Sequence, residues 1–550
     1  MSDQSAGTLS GFQSTLRDSI VDYFDKSLEL RNRDLAARRR QAFQAEGTLV
    51  KTPYVEYVPP YKTSDLSLAD LGEIAGLPLF ADFASGRMLP DGVSRPFEHQ
   101  AQAFIASVLG KNVAVATGTG SGKTEAFLMP IVARLLNEAQ SWAPAPPSTF
   151  TPWWQTPGQP FRGSRESERR SSAIRALVLY PMNALAEDQM KRLRKLLDSD
   201  DAHRWMDQHI GGNRLYFGRY TSASQPSRPR PGVSGARRAE SVERELADGL
   251  RRTEKTRASL GARLEESGHY FPRAGGAEML TRWDMQLAPP DILITNFSML
   301  SIMLGREDEQ NMLELTKNWL EESPDNKFTL VVDELHLQRG TAGTETAYLL
   351  RRLLARLGLS KNPDQLSVIT TSASLPNGTK SEEFLEQFFG QEESFEILEG
   401  QYQFPASSDP LNEGEQQEKR RELTEIARVQ GPLTDGEAEK VHRALGEVCR
   451  VGTPEQGPVA LPDLLTRMFG ETGERSDLMD QLVERSAAAG APVKFRTHVI
   501  ASTVSDLWAC SDPNCSEVPE VSGGSRVAGK LYTDARMRCD CGARVLELLV

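Results

Sequence analysis

The sequence predicts an α/β protein built on a parallel sheet, and three observations carry that prediction. From about residue 96, short runs of Val, Ile and Leu alternate with stretches of helical period. Five of these runs, "NVAVAT", "RALVLYP", "DILITN", "TLVVDE" and "LSVITTSAS", are almost wholly apolar and end in a small or polar residue. Strands covered by helices on both faces have that composition. Finally, a glycine-rich loop follows the first run and opens a helix, and the C-terminal ends of parallel strands are where such sheets bind ligands.

The bulk composition excludes several classes. The 550 residues are 39% hydrophobic and 25% charged, with a net charge of -12. That balance does not suit a single basic body wrapped around nucleic acid, although one groove can still be basic. The start, "MSDQSAGTLS", is polar and unlike a secretory signal. No apolar run reaches the roughly 18 residues of a membrane span, so no membrane partner is expected. Five cysteines do not make a disulfide framework in a chain this long, and a reducing, cytoplasmic compartment is expected.

The length suits roughly three to five domains' worth of core. Residues 1–95 read as an N-terminal accessory region. Within it "TLRDSIVDYFDKSLELRNRDLAARRRQAF" has helical spacing, and "TPYVEYVPPYKT" reads as extended. The α/β region covers 96–385, with surface insertions near 138–172 and 221–280. A helical, acidic accessory region follows over 386–500, and a cysteine-rich module over 501–550.

In "VAVATGTGSGKTEAF" the order is strand, loop, helix, and Thr117 stands where a phosphate-binding loop usually begins with Gly. Gly118, Gly120 and Gly122 let backbone N–H groups crowd around phosphate oxygens. Lys123 can reach the terminal phosphates, and the Thr124 hydroxyl can ligate Mg²⁺. The new helix points its positive end at the anion. Residues Thr119 to Thr124, with Ser121 among them, are the nucleotide-binding candidates; a flexible Gly/Ser turn is the plain alternative.

"TLVVDELH" ends an apolar strand on paired acids. In phosphate-loop ATPases such a strand presents an Asp to the Mg²⁺, which suits Asp333. Glu334 then suits the base that handles the attacking water. Adjacent side chains on a strand face opposite ways, so both acids serve one site only where the backbone turns past the strand's end. Two solvated acids before a helix are the alternative.

Together "TGTGSGKT" and "DELH" resemble the first, RecA-like motor lobe of superfamily 2 nucleic-acid helicases of the DExH group. Supporting stretches come in the family's order. "FEHQAQAF" is similar to the adenine-reading motif, with Gln100 as reader. "LVLYPMNALAEDQ" and "PPDILITNFSML" resemble strand-gripping motifs, which implies nucleic-acid contacts at Pro181, Asn183, Gln189, Thr295 and Asn296. "YFGRYTS" resembles a short strand end of these lobes. "TTSASL" resembles the coupling motif, with Ser372 and Ser374 at the nucleotide site and Ser374 where the family has Thr. His336 would relay between the two. "RWDMQLAPPDILITNFSML", "DELHLQRGTAGTETAYLLRRL" and "LWACSDPNC" narrow the likeness to the large antiphage-defence helicases of the DruE (Druantia) type, and more distantly to MrfA-like repair helicases. The resemblance implies ATP and Mg²⁺ as cofactors, DNA rather than RNA as nucleic-acid partner, defence-system proteins as further partners, and a second RecA-like lobe beyond residue 550. No Gln-x-x-Gly-Arg-x-Gly-Arg run follows residue 376. Arginine fingers contribute on the order of 10³–10⁵ in rate in related NTPases, so this segment alone is expected to hydrolyse ATP very slowly. An RNA helicase and a nucleotide-binding adaptor are the competing readings.

Arg219, Arg282 and Arg339 are weaker nucleic-acid candidates against ordinary surface or ion-paired roles. The Arg- and Glu-rich stretch after residue 221 reads as a DNA-contacting arm or as a solvated, salt-bridged helix. The tryptophans of "PWWQTPG" either stack on bases or pin their loop to the body. Cys510, Cys515, Cys539 and Cys541 form two pairs, C-x₄-C and C-x-C-G, that read as a structural Zn²⁺ site, with free thiols as the alternative. No histidine lies in the cluster, which disfavours catalytic zinc. Cys449 stands apart as an ordinary helix residue.

Overall fold

Each of the five apolar runs folds as a strand, and all five lie in one eight-stranded sheet. The computed structural model describes residues 9–27, 30, 32–44, 51–90, 92–118, 120–146, 152–166, 168–226, 239–360, 363–376, 378–391, 394–405, 412–453, 457–471, 473–490, 493–500, 507–518 and 526–548. Thr119 and residues 227–238 of the Arg-rich insertion lie outside them. The chain divides into two compact units, Tyr61–Gln401 and Met1–Pro60 with Tyr402–Val550.

In chain order, α1 (Leu9–Ser27), α2 (Arg33–Gln44) and β1 (Tyr54–Val58) come first and belong to the divided unit. The continuous unit begins with α3 (Leu68–Ile74), α4 (Pro78–Ala84), α5 (Glu98–Val108), β2 (Asn112–Ala116), α6 (Lys123–Ala139), β3 (Ala176–Tyr180) and α7 (Asn183–Leu197). It goes on through α8 (Asp200–His209), β4 (Phe217–Tyr220), α9 (Ala239–Ala258), α10 (Leu264–Ser267), β5 (Glu278–Met279), α11 (Arg282–Leu287), β6 (Ile292–Asn296) and α12 (Phe297–Met303). It closes with α13 (Gln310–Glu322), β7 (Phe328–Val332), α14 (Gly340–Arg356), β8 (Leu366–Ser372), α15 (Thr379–Phe389) and β9 (Phe395–Glu399).

The strand order is β5-β4-β6-β3-β7-β8-β2-β9, and every pairing is parallel. Alternate side chains feed two cores, as the pleat requires. Ala176, Val178, Ile292, Ile294 and Val331 meet α5 to α8 on one face. Leu177, Leu179, Leu293, Leu330 and Val332 meet α12 to α15 on the other. Double coverage is why these strands read as unbroken apolar runs. The register aligns Ala116 with Ser372 and Val332 with Thr370. The ends of β2, β8 and β7 are therefore level, and the loops that follow them emerge together. Two strands at the margins, β5 and β9, were not evident from the sequence; β9, "FEILE", joins the sheet beside β2.

The divided unit resumes with α16 (Glu413–Arg428), α17 (Asp435–Val448), β10 (Val459–Ala460), α18 (Leu461–Phe469), α19 (Arg475–Ala488) and β11 (Lys494–His498). Asn412 and Thr434 start α16 and α17 with reciprocal capping by Glu415 and Glu437. β1 pairs antiparallel with β10 and β11, and Val55 and Tyr57 pack against the four helices. Cys449 is part of that core, as an ordinary buried residue. The last piece is a small antiparallel sheet in which β12 (Leu507–Cys510) lies between β13 (Leu531–Tyr532) and β14 (Val545–Leu548).

Candidate nucleotide site and cysteine centre

The loop after β2 is shaped by two left-handed glycines, Gly120 at φ 82° and Gly122 at φ 72°. Gly122 ends the loop and α6 begins at Lys123. A Cβ at Gly122 would sit 2.2 Å from Gln100 Nε2 and displace that amide, and the left-handed backbone there strains any larger residue. Side chains brace the loop from below. Gln100 Nε2 donates to the Gly122 carbonyl at 2.8 Å, while its Oε1 accepts from Phe97 N–H at 2.7 Å. Both ends of that amide are thus used within the lobe. His99 Nε2 lies 2.9 Å from the Ser121 carbonyl, the Thr117 and Ser121 hydroxyls are 2.6 Å apart, and the Tyr61 hydroxyl accepts from Gly118 N–H at 3.2 Å. Burial drives the His99 imidazole down to about 4, against the opposing pull of the Ser121 carbonyl.

β7 stops at Val332, and the two acids lie just beyond it. Glu334 adopts a left-handed conformation, φ 53° and ψ 47°. This is the turn that the strand geometry demands if neighbouring acids are to share a site. Left-handed backbone costs a non-glycine residue on the order of 1–2 kcal/mol, so the surrounding bonds must hold it. Lys123 Nζ donates to Glu334 Oε1 at 2.9 Å, and Glu334 N–H donates to Thr371 Oγ1 at 3.2 Å. The Thr371 hydroxyl also donates to the Asp333 carboxylate. Burial pushes the Asp333 carboxyl above its usual range, and the Thr371 bond opposes this. His336 Nδ1 accepts from Ala373 N–H at 3.3 Å and lies 3.2 Å from Glu334 Oε2. Ser372 Oγ accepts from Ser374 N–H at 3.2 Å, and Arg339 Nη2 donates to Ser374 Oγ at 3.1 Å. The three strand ends therefore bring together Lys123, Thr124, Asp333, Glu334, His336, Ser372 and Ser374.

These residues fit a magnesium-bound nucleoside triphosphate. The glycines keep the loop open, α6 presents its N-terminus, and Glu334 Oε2 and Gln189 Oε1 are buried acceptors without a hydrogen-bond partner. Thr124 and Asp333 are the residues that would hold the metal, which supplies charge neutralisation at the phosphates.

The parallel pairing of β3 with β6, Tyr180 opposite Asn296, puts the segments of Pro181 and Asn183 beside those of Thr295 and Asn296. Pro181 is part-buried at the end of β3, and Asn183 is the first residue of α7. Asn296 caps α12, accepting from Met299 N–H at 2.7 Å. Thr295 is fully buried, and its hydroxyl donates to the Tyr220 carbonyl at 2.6 Å. Gln189 Nε2 donates to Thr124 Oγ1 at 3.0 Å. Arg219 pairs with Glu187, and Arg282 is buried with Nη2 on the Thr221 carbonyl. Trp153 and Trp154 are buried against Ala247 and Leu250 of α9, and Trp154 Nε1 donates to Glu254 Oε1 at 3.0 Å. The tryptophan pair pins its loop to the insertion. Thr371, His99 and Arg192, which braces Glu125, were not singled out by sequence reasoning. Thr371 lies inside "TTSASL", and only the β7–β8 pairing shows what it touches.

In the small terminal sheet, the Sγ atoms of Cys510, Cys515, Cys539 and Cys541 all lie within 4.8 Å of one another. Cys510 and Cys541 approach to 3.5 Å, and Cys515 and Cys539 to 3.6 Å. Four thiolates about 2.3 Å from one tetrahedral ion stand about 3.8 Å apart, so the set fits zinc. The tight C-x-C-G spacing is reconciled by Gly542, whose φ of 91° turns the chain after Cys541. Gly529 has no room for a Cβ, which would lie 2.5 Å from Cys515 Cβ. Burial raises the Cys539 thiol, but bonds from the Tyr532 hydroxyl, the Cys541 backbone and neighbouring thiols outweigh it and bring it to about 7.

The parallel sheet, the phosphate loop and the strand-end acids form the α/β frame of the site, and the family model of DEAD/DEAH box helicases matches residues 97–216. More particularly, the chain is 28% identical to the Druantia protein DruE of Escherichia coli over 97% of this chain and 32% of that protein. The chain thus spans about a third of that relative's length. An uncharacterized ATP-dependent helicase of Methanocaldococcus jannaschii is 34% identical over 20% of this chain and 14% of its own. Among solved structures, the DUF1998 helicase MrfA bound to DNA and AMPPNP superposes with a TM-score of 0.35 at 17% identity, covering 74% of this chain and 42% of MrfA. Mycobacterium smegmatis helicase Lhr bound to ssDNA and AMP-PNP gives 0.34 at 17% identity, covering 64% and 33%. Among the described residues no helix is long and apolar enough to cross a membrane.

Proposed function

We propose that the chain is the ATP-binding lobe, with accessory regions, of an ATP-dependent DNA helicase or translocase that acts in the cytoplasm in antiphage defence. The observation that carries this is the ion pair between Lys123 and Glu334, 2.9 Å long, which joins the phosphate loop to the acid pair across the end of β8. In this reading Lys123 holds the terminal phosphates and Glu334 orients and deprotonates the attacking water. The Lys123 contact marks where the phosphate charge belongs, and ATP entry would release Glu334 from it. His336, between Glu334 and the backbone of Ala373, relays the state of the site to the segment at Ser372 and Ser374. Pro181, Asn183, Thr295 and Asn296 shape the segments that grip a strand by its phosphates. What supports DNA and a defence role is the resemblance of the sequence motifs to DruE-type helicases. A second RecA-like lobe supplies the arginines that complete hydrolysis, and zinc on the four cysteines is structural.

The test is turnover by the full-length protein carrying Glu334→Gln. ATP binding should persist while DNA-stimulated hydrolysis falls on the order of 10²–10⁴-fold. Unchanged turnover would remove Glu334 from the chemistry. Matched DNA and RNA oligonucleotides decide the strand: DNA should stimulate more, and equal or greater stimulation by RNA overturns that assignment. Brisk DNA-stimulated turnover by the 550 residues alone would overturn the need for a second lobe.

A further inference from the structure

Gln189 lies in the stretch that resembles a strand-gripping motif, and its side chain meets Thr124 of α6. It is 8% exposed, and its Nε2 donates to the Thr124 hydroxyl oxygen at 3.0 Å. Its Oε1 is buried with no hydrogen-bond partner. One turn on, at the i+3 position of the same helix face, Arg192 pairs with Glu125. Two successive residues of α6, Thr124 and Glu125, are thus gripped by two residues of α7. The same helix begins at Asn183, in the candidate strand-gripping segment.

We propose that Gln189 is a positioning residue for the metal ligand Thr124. An amide N–H on Thr124 Oγ1 occupies one lone pair and fixes the rotor of a side chain that is already stiff at χ1. The other lone pair is left for a divalent cation, and the hydroxyl proton is turned away from it. The unpartnered Oε1 then stands as a buried acceptor next to the same oxygen, suited to a metal-bound water. Without Gln189 the threonine loses the bond that sets its hydroxyl, while the phosphate loop itself stays in place, since Gln100 and His99 brace it from the other side. This inference rests on the ATP-site reading above.

Binding of a fluorescent ATP analogue to the full chain, titrated with Mg²⁺ and repeated in EDTA, tests it. Gln189→Leu should weaken Mg²⁺-dependent binding about three- to tenfold, the range of one hydrogen bond, and leave binding in EDTA unchanged. In a Thr124→Val background the same substitution should do nothing, because the partner hydroxyl is gone. Wild-type Mg²⁺ dependence in Gln189→Leu, or an equal loss in the Thr124→Val background, overturns the proposal. Gln189→Met serves where the Leu variant does not fold. A wild-type chain that binds no ATP analogue overturns the ATP-site reading and this inference with it.

Discussion

His99 shows how a single buried ring tunes the phosphate loop. Its Nε2 must donate to the Ser121 carbonyl, so Nδ1 is bare, and that atom is buried with no partner. Protonation would place a second N–H where no acceptor exists, which is why burial lowers the imidazole to about 4. The folded-state value is below that of the unfolded chain, so folding favours the neutral ring. The stability this brings is fully present above about pH 6.5 and is lost as pH falls through about 4, for a swing of about 3 kcal/mol at most. Gln at this position can donate the same bond and cannot titrate. Thermal melts of wild type and His99→Gln between pH 7 and pH 4 should diverge, wild type losing ground as the pH drops. A constant difference across that range would mean that His99 titrates normally in the folded protein.

Among the elements, α11 is only six residues long yet bonds to several segments. Its Arg282 donates to Thr221, its Gln286 to the Tyr220 hydroxyl at 2.9 Å, and its Asp284 accepts from Ser164 N–H at 2.8 Å. Trp283 is fully buried and meets Phe161 edge-on at 5.6 Å. The stretch "RWDMQL" thus ties the first insertion to the end of β4. Trp283→Ala should cost about 3–5 kcal/mol, the range for a large buried aromatic, seen as a shift in denaturant midpoint; a loss under about 1 kcal/mol would mean the site collapses around the gap. The sequence made the strands of the sheet visible because they are buried on both faces, and the site visible because ionisable groups end those strands. It could not show α11's role, or that Thr371 serves Asp333, because those contacts depend on which strands become neighbours. The edge strands escaped for another reason: β5 is two residues long, and β9 carries two glutamates in five residues. The tryptophan pair reads two ways in sequence because α9, which covers it, lies some ninety residues further along the chain.

At the scale of the whole molecule, the first and last stretches of the chain share one unit, and the cysteine centre lies at their junction. Arg38 of α2 donates to the carbonyls of Ala528 and Gly529 at 3.0 and 2.7 Å. Leu35 packs with Ala509 and Ala528, and Val21 and Phe43 pack with Leu507. Gly529 is itself wedged against Cys510 and Cys515. The surface on which α2 rests is therefore built by the same backbone that holds the thiols. A three-stranded sheet this small has little apolar core, so bound metal should supply most of its folding energy, on the order of 10 kcal/mol in comparable zinc peptides. Chelation should accordingly release α1 and α2 as well as the terminal sheet. Hydrogen exchange followed after zinc removal is the measurement: amides of α2 and of β12 to β14 should lose protection together, while those of β2, β7 and β8 keep theirs. Protection of α2 that survives complete loss of zinc would show that the helix is held by its pairing with α1, through the Asp25–Arg39 and Asp22–Arg40 ion pairs, and not by the metal centre.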